Sequence, residues 1–181
     1  EKKLAFYSGS EPHEKFLTLF NQQELKEAFA SIFVDSNVMV YGEAYGGKQQ
    51  GMSRTYGKEL KFIPFDVKVN GMWVNVPNAH NICEKLNLEF VHYQKIDCTL
   101  EAINYEMNLP SAQAIRNGMG DNHIREGVVL RPLVEFTMNN GSRVICKHRR
   151  PEFIETKTPR EVDAAQLQIL SEAKEIAEEW V

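Results

Sequence analysis

Apolar residues recur at two periods along this chain, and the switches between them outline its elements. From Glu11 to Phe33, "EPHEKFLTLFNQQELKEAFASIF" carries Phe16, Leu17, Phe20, Leu25, Ala28, Phe29 and Ile32 at helical spacing, which predicts one or two helices. "KLAFY" reads as a strand before them. "NVMVYGEAYGG" reads as an apolar strand running into small residues. "LKFIPFDVKV" and "MWVNV" read as strands joined by Asn70-Gly71, and "EGVVLRPLVEF" and "RVICKH" as strands joined by "TMNNGS", a second Asn-Gly hairpin. Between these pairs, "NAHNICEKLNL" and "TLEAINYEM" predict short helices with "EFVHY" as a strand separating them. Residues 158–181 predict a helix with Thr158 as N-cap, Pro159 in the first turn and Glu161 completing a capping box. Strand pairs closed by Asn-Gly imply antiparallel sheets, so the fold class is α+β, with antiparallel sheets flanked by helices.

The bulk numbers narrow the function classes. At 181 residues, 43% hydrophobic and 25% charged, the chain has the composition of a globular domain with one core. Its longest apolar runs are too short to cross a bilayer, so no membrane partner is expected. A formal net charge of −4 does not mark a nucleic-acid binder as a whole. The charge is uneven, however: "CKHRRPEF" (Cys146–Phe153) is a basic cluster, while the last twenty residues are acidic. Cys83, Cys98 and Cys146 lack metal-ligand spacing, and their odd number suggests reduced thiols in an intracellular, cytoplasm-like reducing compartment. Five scattered histidines form no zinc pattern. The absence of an initial Met and of a signal-like segment reads as a piece of a longer chain.

Several short stretches are candidates for chemistry. "GEAYGGKQ" nearly fits a phosphate-cradling loop, but Gln49 replaces the hydroxyl residue and no helical period follows, so that reading fails. Glu43, between a strand and a Gly-rich bend, is either a solvent-facing strand-end residue or an acceptor for a ribose hydroxyl or metal-bound water. Phe62 and Phe65 flank Ile63-Pro64; one aromatic belongs to the core, and the other is available to stack on a base. Glu126 opens a strand with Gly127 beside it, read as a point of close ligand approach. Lys147 lies about twenty residues later. If the hairpin pairs these strands, Glu126 and Lys147 lie near the same end of one ribbon, either as a cross-strand ion pair or as a metal-binding carboxylate and a phosphate clamp. Lys68-Val69-Asn70-Gly71 looks like a nucleophile motif, yet Asn70-Gly71 is the favoured two-residue type I′ turn, and Lys68 is read as flanking that turn.

Taken in order, Glu43 in "VYGEAYGG", Phe65 in "FIPFDV", Glu126 in "EGVVLRP" and Lys147 in "VICKHRR" resemble motifs III, IIIa, IV and V of the covalent nucleotidyltransferases. The spacing is similar to that of ATP-dependent RNA ligases of the nick-sealing and RNA-editing type. The resemblance spans residues 4–153 and implies the adenylyltransferase domain shared by ligases and capping enzymes. It implies that a lysine attacks ATP and retains AMP, that AMP passes to an RNA 5′-phosphate, and that a 3′-hydroxyl then displaces it. On this likeness Glu43 holds the ribose, Phe65 stacks on adenine, Glu126 organises the water around Mg²⁺ or Mn²⁺, and Lys147 touches the α-phosphate. His148, Arg149 and Arg150 then add contacts to RNA ends or a nicked duplex. DNA ligases and GTP-using capping enzymes share the motif order, and a nucleotide- or RNA-binding module without catalysis is the alternative from another class. Three positions depart from the pattern. Ile145 stands where motif V has a first lysine, "FYSGSEP" offers Ser8 or Ser10 where an arginine is usual, and no K-x-D-G precedes Glu43, since Lys2 and Lys3 lack the glycine. The resemblance therefore implies residues 1–157 as an adenylyltransferase core without its motif I segment, and 158–181 as a helix packing on the core or leading to a further domain. It also implies that the nucleophile lies upstream of Glu1 and that the chain as given does not adenylylate itself.

Overall fold

The computed structural model describes residues 3–9 and 11–153. Two compact units are delimited, Glu1–Arg150 and Pro151–Val181. Of the second, Pro151–Phe153 form a 3-10 turn; the helix expected over 158–181 and the boundary expected after residue 157 lie outside the described residues. The first unit contains, in chain order, α1 (His13–Leu17), α2 (Gln22–Ile32), β1 (Val38–Gly46), α3 (Ser53–Tyr56), β2 (Leu60–Val69), β3 (Met72–Trp73), α4 (Val76–Lys85), α5 (Leu100–Asn108), α6 (Ala112–Arg116), β4 (Gly127–Leu130) and β5 (Cys146–Arg149). The strands make a three-stranded antiparallel sheet in the order β1-β2-β3 and a two-stranded antiparallel ribbon, β4-β5. The class is α+β. No described helix is long and apolar enough to cross a membrane.

Local chemistry explains most of these boundaries. The side chain of Asn21 accepts from the Glu24 amide and opens α2, which splits the long apolar-periodic stretch into two helices. Asn75 caps α4 in the same way, accepting from Asn78 at 3.0 Å, and this cap cuts the expected strand "MWVNV" down to two residues. Asn70 and Gly71 both have positive φ, 50° and 81°, as a type I′ turn requires. The core lies between α4 and β2: Val67, Ala79, Cys83 and Phe90 are buried, with Val38, Val40, Val69, Ile82 and Val91 packed around them. Burial pushes the Cys83 thiol up to about 12, so it behaves as a packed apolar group. Cys98 and Cys146 are exposed, and all three thiols are unpaired.

Two expected strands do not form. "KLAFY" keeps the period-two alternation, with Leu4 and Phe6 turned inward, and Phe6 meets Phe20 at 5.1 Å between ring centroids; no ladder partner runs beside it among the described residues. "EFVHY" is extended, but its link to β2 is a single hydrogen bond from the Val91 amide to the Pro64 carbonyl. Alternation reports which side chains turn inward, and hydrogen-bonded pairing is a separate requirement. The stretch "EGVVLRPLVEF" is a strand only as far as Leu130, before Pro132 removes an amide donor. The "TMNNGS" connection is not a two-residue Asn-Gly turn. Met138 and Ser142 bond across it, the Gly141 amide bonds back to Met138, and Gly141 alone takes positive φ, 80°, which is a three-residue loop.

Candidate functional site

β1 and β2 pair from Val38↔Val69 to Gly46↔Leu60, with one irregularity: Tyr41 pairs with Asp66 and Gly42 with Pro64, so Phe65 has no partner. This bulge decides what the two phenylalanines do. Phe62 packs among Phe16 and Phe20, with centroids at 5.7 and 5.2 Å. Phe65, the extra residue, is swung out and 42% exposed, whereas Ile63, two residues back, is buried. Gly42 is fixed by close approach, because a Cβ there would lie 2.4 Å from the Phe62 ring and 2.6 Å from the Ile63 carbonyl. The next residue, Glu43, is thereby carried into register opposite Ile63 with its side chain exposed.

The bulge is held from behind by an ionic cluster. Asp66, 4% exposed, takes the guanidinium groups of Arg131, at 3.0 Å, and Arg143. Both arginines also bind Glu135, at 2.6 and 2.8 Å, and Arg143 lies 4.0 Å over the Trp73 ring. Arg131 donates a further bond to the Phe65 carbonyl at 3.2 Å. Burial alone raises the Glu135 pKa, but hydrogen bonds from Arg131 and Arg143 outweigh it and hold the carboxyl below its usual range. For Arg143, burial works against the charge, and the bonds to Asp66 and Glu135 reverse that, raising its pKa.

Residues of β1, β2, the bend before β4 and β5 face one open cleft of about 2530 Å³, and Glu43, Phe65, Glu126 and Lys147 all line it. The volume exceeds the ~300–1,000 Å³ of an ordinary small-molecule pocket, so the space is an open trough rather than an enclosed cavity. Tyr56, at the end of α3, also lines it. Burial pushes the Tyr56 phenol up, the nearby carboxylate of Glu126 pushes it further, hydrogen bonding to Ser111 opposes this, and Glu43 adds a smaller push. The two acidic candidates, far apart in sequence, thus both act on one phenol.

The ribbon differs from the expected arrangement in two respects. Its register is Gly127↔Arg149, Val128↔His148, Val129↔Lys147 and Leu130↔Cys146, and the Arg150 amide bonds to the Glu126 carbonyl. Glu126 therefore sits opposite Arg150, three positions along the ribbon from Lys147, and the cross-strand ion pair does not form. Gly127 lines the cleft and also meets the partner strand closely, since a Cβ there would lie 2.3 Å from the His148 carbonyl. Of the three basic residues read as phosphate contacts, Arg149 lines the cleft. His148 and Arg150 turn to α5, where they bond Asn104 at 3.0 Å and Asn108 at 2.8 Å. Alternation along β5 accounts for the split.

Lys68 pairs with Trp73 beside the turn, its ammonium 4.6 Å from the indole centroid, and is not among the cleft residues. Gln49–Gly51 form a single 3-10 turn after Lys48, so no long helix opens onto that loop. Among the described residues no group of three His, Cys, Asp or Glu is placed to hold a metal ion alone. Mg²⁺ usually keeps several waters and binds through one or two carboxylates together with substrate phosphates; Glu126 and Glu43 are carboxylates of the cleft available to such an ion.

Sequence reasoning missed Tyr56 and the Asp66–Arg131–Glu135–Arg143 cluster. A signal for the cluster existed, because a single Asp inside the apolar run "FIPFDVKV" requires a buried partner. Nothing local to Tyr56 marks it.

Small antiparallel sheets flanked by helices, with acids, cations and one displaced aromatic around an open cleft, define this α+β domain. The chain belongs to the RNA ligase family, whose model matches residues 5–149. This makes it a member of a family of enzymes that ligate RNA. No curated protein matches it.

Proposed function

We propose that this domain is the adenylyltransferase part of an ATP-dependent RNA ligase, which joins 5′-phosphate and 3′-hydroxyl RNA ends through enzyme–AMP and RNA-adenylate intermediates. The observation carrying the reading is that Glu43, Phe65, Glu126 and Lys147, from four separate stretches of sequence, line one cleft. The exposed Phe65 ring stacks on adenine and Glu43 accepts from the ribose. Lys147 offsets the charge that grows on the α-phosphate as a lysine amine attacks it and pyrophosphate leaves. Arg149, on the same side of β5 as Lys147, contacts RNA phosphate. A Mg²⁺ or Mn²⁺ ion supplies charge neutralisation at the phosphates, with Glu126 orienting its water.

The nucleophile of this scheme belongs to a K-x-D-G segment, and residues 1–181 contain no such tetrapeptide. Lys68 is tethered beside Trp73 away from the cleft, and Lys2 and Lys3 lack the accompanying glycine. Intact-mass measurement after incubation with ATP and Mg²⁺ tests this. The 181-residue chain is expected to stay unmodified, and a chain extended upstream to gain one AMP. An adduct on the shorter chain overturns the placement of the nucleophile, and peptide mapping then names the lysine. No adduct on either favours a binding module without catalysis, while a GMP adduct formed in preference to AMP favours the capping chemistry.

A further inference from the structure

The connection between β1 and β2 has a charge unlike that of the chain. Residues 46–61 carry Lys48, Arg54, Lys58 and Lys61 against the single carboxylate Glu59, in a protein of net charge −4. The loop is folded tightly back on itself. Gly46, Gly47, Gly51 and Gly57 all take positive φ, and the Gly47 amide bonds to the Gly57 carbonyl at 3.0 Å. That bond closes the loop at its neck and sets Lys48 and Lys58, ten positions apart, directly after two bonded residues. α3 lies within the closed loop and carries Arg54.

Two faces result. Gly46, Gln49, Met52 and Tyr56 line the cleft. Lys48, Arg54 and Lys58 are exposed, do not line the cleft, and make no ion pair among the described residues. The neighbouring acid Glu11, bonded to Gln49, is already paired with Lys15 at 3.0 Å, and Lys61 is drawn off to the Asn117 side chain at 3.3 Å. Three unneutralised cations thus stand on the outer side of the rim whose inner side adjoins Glu43 and Tyr56.

We infer that the β1–β2 connection is an RNA-backbone docking pad, with Lys48, Arg54 and Lys58 holding phosphates of the strand that runs out of the cleft away from its reacting end. The inference rests on the RNA ligase reading and deepens it. An end to be joined occupies the trough, so the rest of the strand must cross a rim. Exposed cations of this kind grip phosphates without reading bases, which suits an enzyme that must accept many sequences. Binding of this kind releases counterions, so it has a signature in salt.

The test uses the 181-residue chain and a fluorescent, 5′-phosphorylated 20-nucleotide RNA, with affinity followed by anisotropy from 50 to 400 mM KCl. Each single-strand phosphate contact adds roughly 0.7 to the slope of log affinity against log salt. The triple variant Lys48→Ala, Arg54→Ala, Lys58→Ala is expected to flatten the slope by about 2, to weaken binding at low salt by at least tenfold, and to leave ATP binding unchanged. Glu59→Lys, which adds a cation to the same pad, is expected to tighten RNA binding and steepen the slope; it also gives an answer if the triple variant does not fold. Equal slopes and affinities in wild type and Glu59→Lys overturn the inference, as does a wild-type chain that binds no RNA at 50 mM KCl. If ATP still binds in those cases, the ligase reading survives. A chain that loses RNA with the pad yet never binds ATP supports the pad and overturns the nucleotide reading.

Discussion

Phe62 and Phe65 are three positions apart in one strand, and a bulge gives them opposite roles. Substituting each separates stability from binding. Phe65→Ala is expected to leave the melting temperature nearly unchanged, because the ring is 42% exposed, and to cost about 1–3 kcal/mol of ATP affinity through the lost base stack. Phe62→Ala removes a ring from a cluster with Phe16 and Phe20 and is expected to destabilise by about 3 kcal/mol, read by denaturant unfolding. If Phe65→Ala binds ATP as tightly as wild type, adenine does not stack there. Lys147 tests the same cleft from its other wall. In a ligation-competent enzyme, Lys147→Ala is expected to lower the rate of AMP transfer on the order of 10²–10³-fold with folding intact. Ile145, 38% exposed, supplies no second cation two residues earlier on the strand. An unchanged rate places the phosphate elsewhere, with Arg149 the nearest alternative on that side of β5.

At the scale of elements, the ribbon depends on one close approach. A Cβ on Gly127 meets the His148 carbonyl at 2.3 Å and the Arg149 Cα at 2.8 Å, both backbone atoms that cannot rotate away. Gly127→Ala is expected to destabilise by about 1–3 kcal/mol and to raise amide exchange in β4 and β5 before β1 and β2, read by hydrogen exchange. Uniform exchange would show that the ribbon yields at no cost. Much of the element pattern was legible in the sequence, since α2, α4, α5, β1, β2 and the Asn70-Gly71 turn follow from periodicity, caps and turn residues that act within a few positions. What was not legible depends on partners distant in sequence. "KLAFY" and "EFVHY" alternate as strands do, but no neighbouring strand completes a ladder among the described residues. The bulge at Phe65 is set by how β1 registers on β2, and no residue of "FIPFDV" encodes it alone. α6 is a single short turn capped by Ser111, too brief to show a period. The offset between Glu126 and Lys147 follows from an irregular loop whose length in residues gave no register.

At the scale of the whole described domain, the three-stranded sheet and the ribbon are joined through charge. Asp66 belongs to β2, whereas Arg131, Glu135 and Arg143 belong to the connection between β4 and β5, so protonating a member of the cluster loosens one sheet from the other. Glu135 is a carboxylate of the cluster whose titration is displaced. Its folded pKa lies below the usual glutamate range, so its contribution to stability is present above that range and is lost as pH falls through the folded value. Glu135→Gln is therefore expected to melt below wild type at pH 7, with the difference shrinking as pH falls through the lowered folded-state range of Glu135 and both side chains become neutral. His92 also disfavours the protonated form in the fold, because of burial first and then Arg116 and Arg125; its acid effect appears at higher pH, in both proteins alike, and cancels from the comparison. The readout is thermal melting of the two proteins at a series of pH values. Curves that remain parallel would mean that desolvation of the cluster offsets its attraction, as buried ion pairs often do. A converging pair of curves has a consequence for the cleft, because Arg131 also holds the Phe65 carbonyl. ATP affinity in wild type should then weaken over the same acidic range in which the melting advantage over Glu135→Gln disappears, and in the variant it should already be weaker at pH 7.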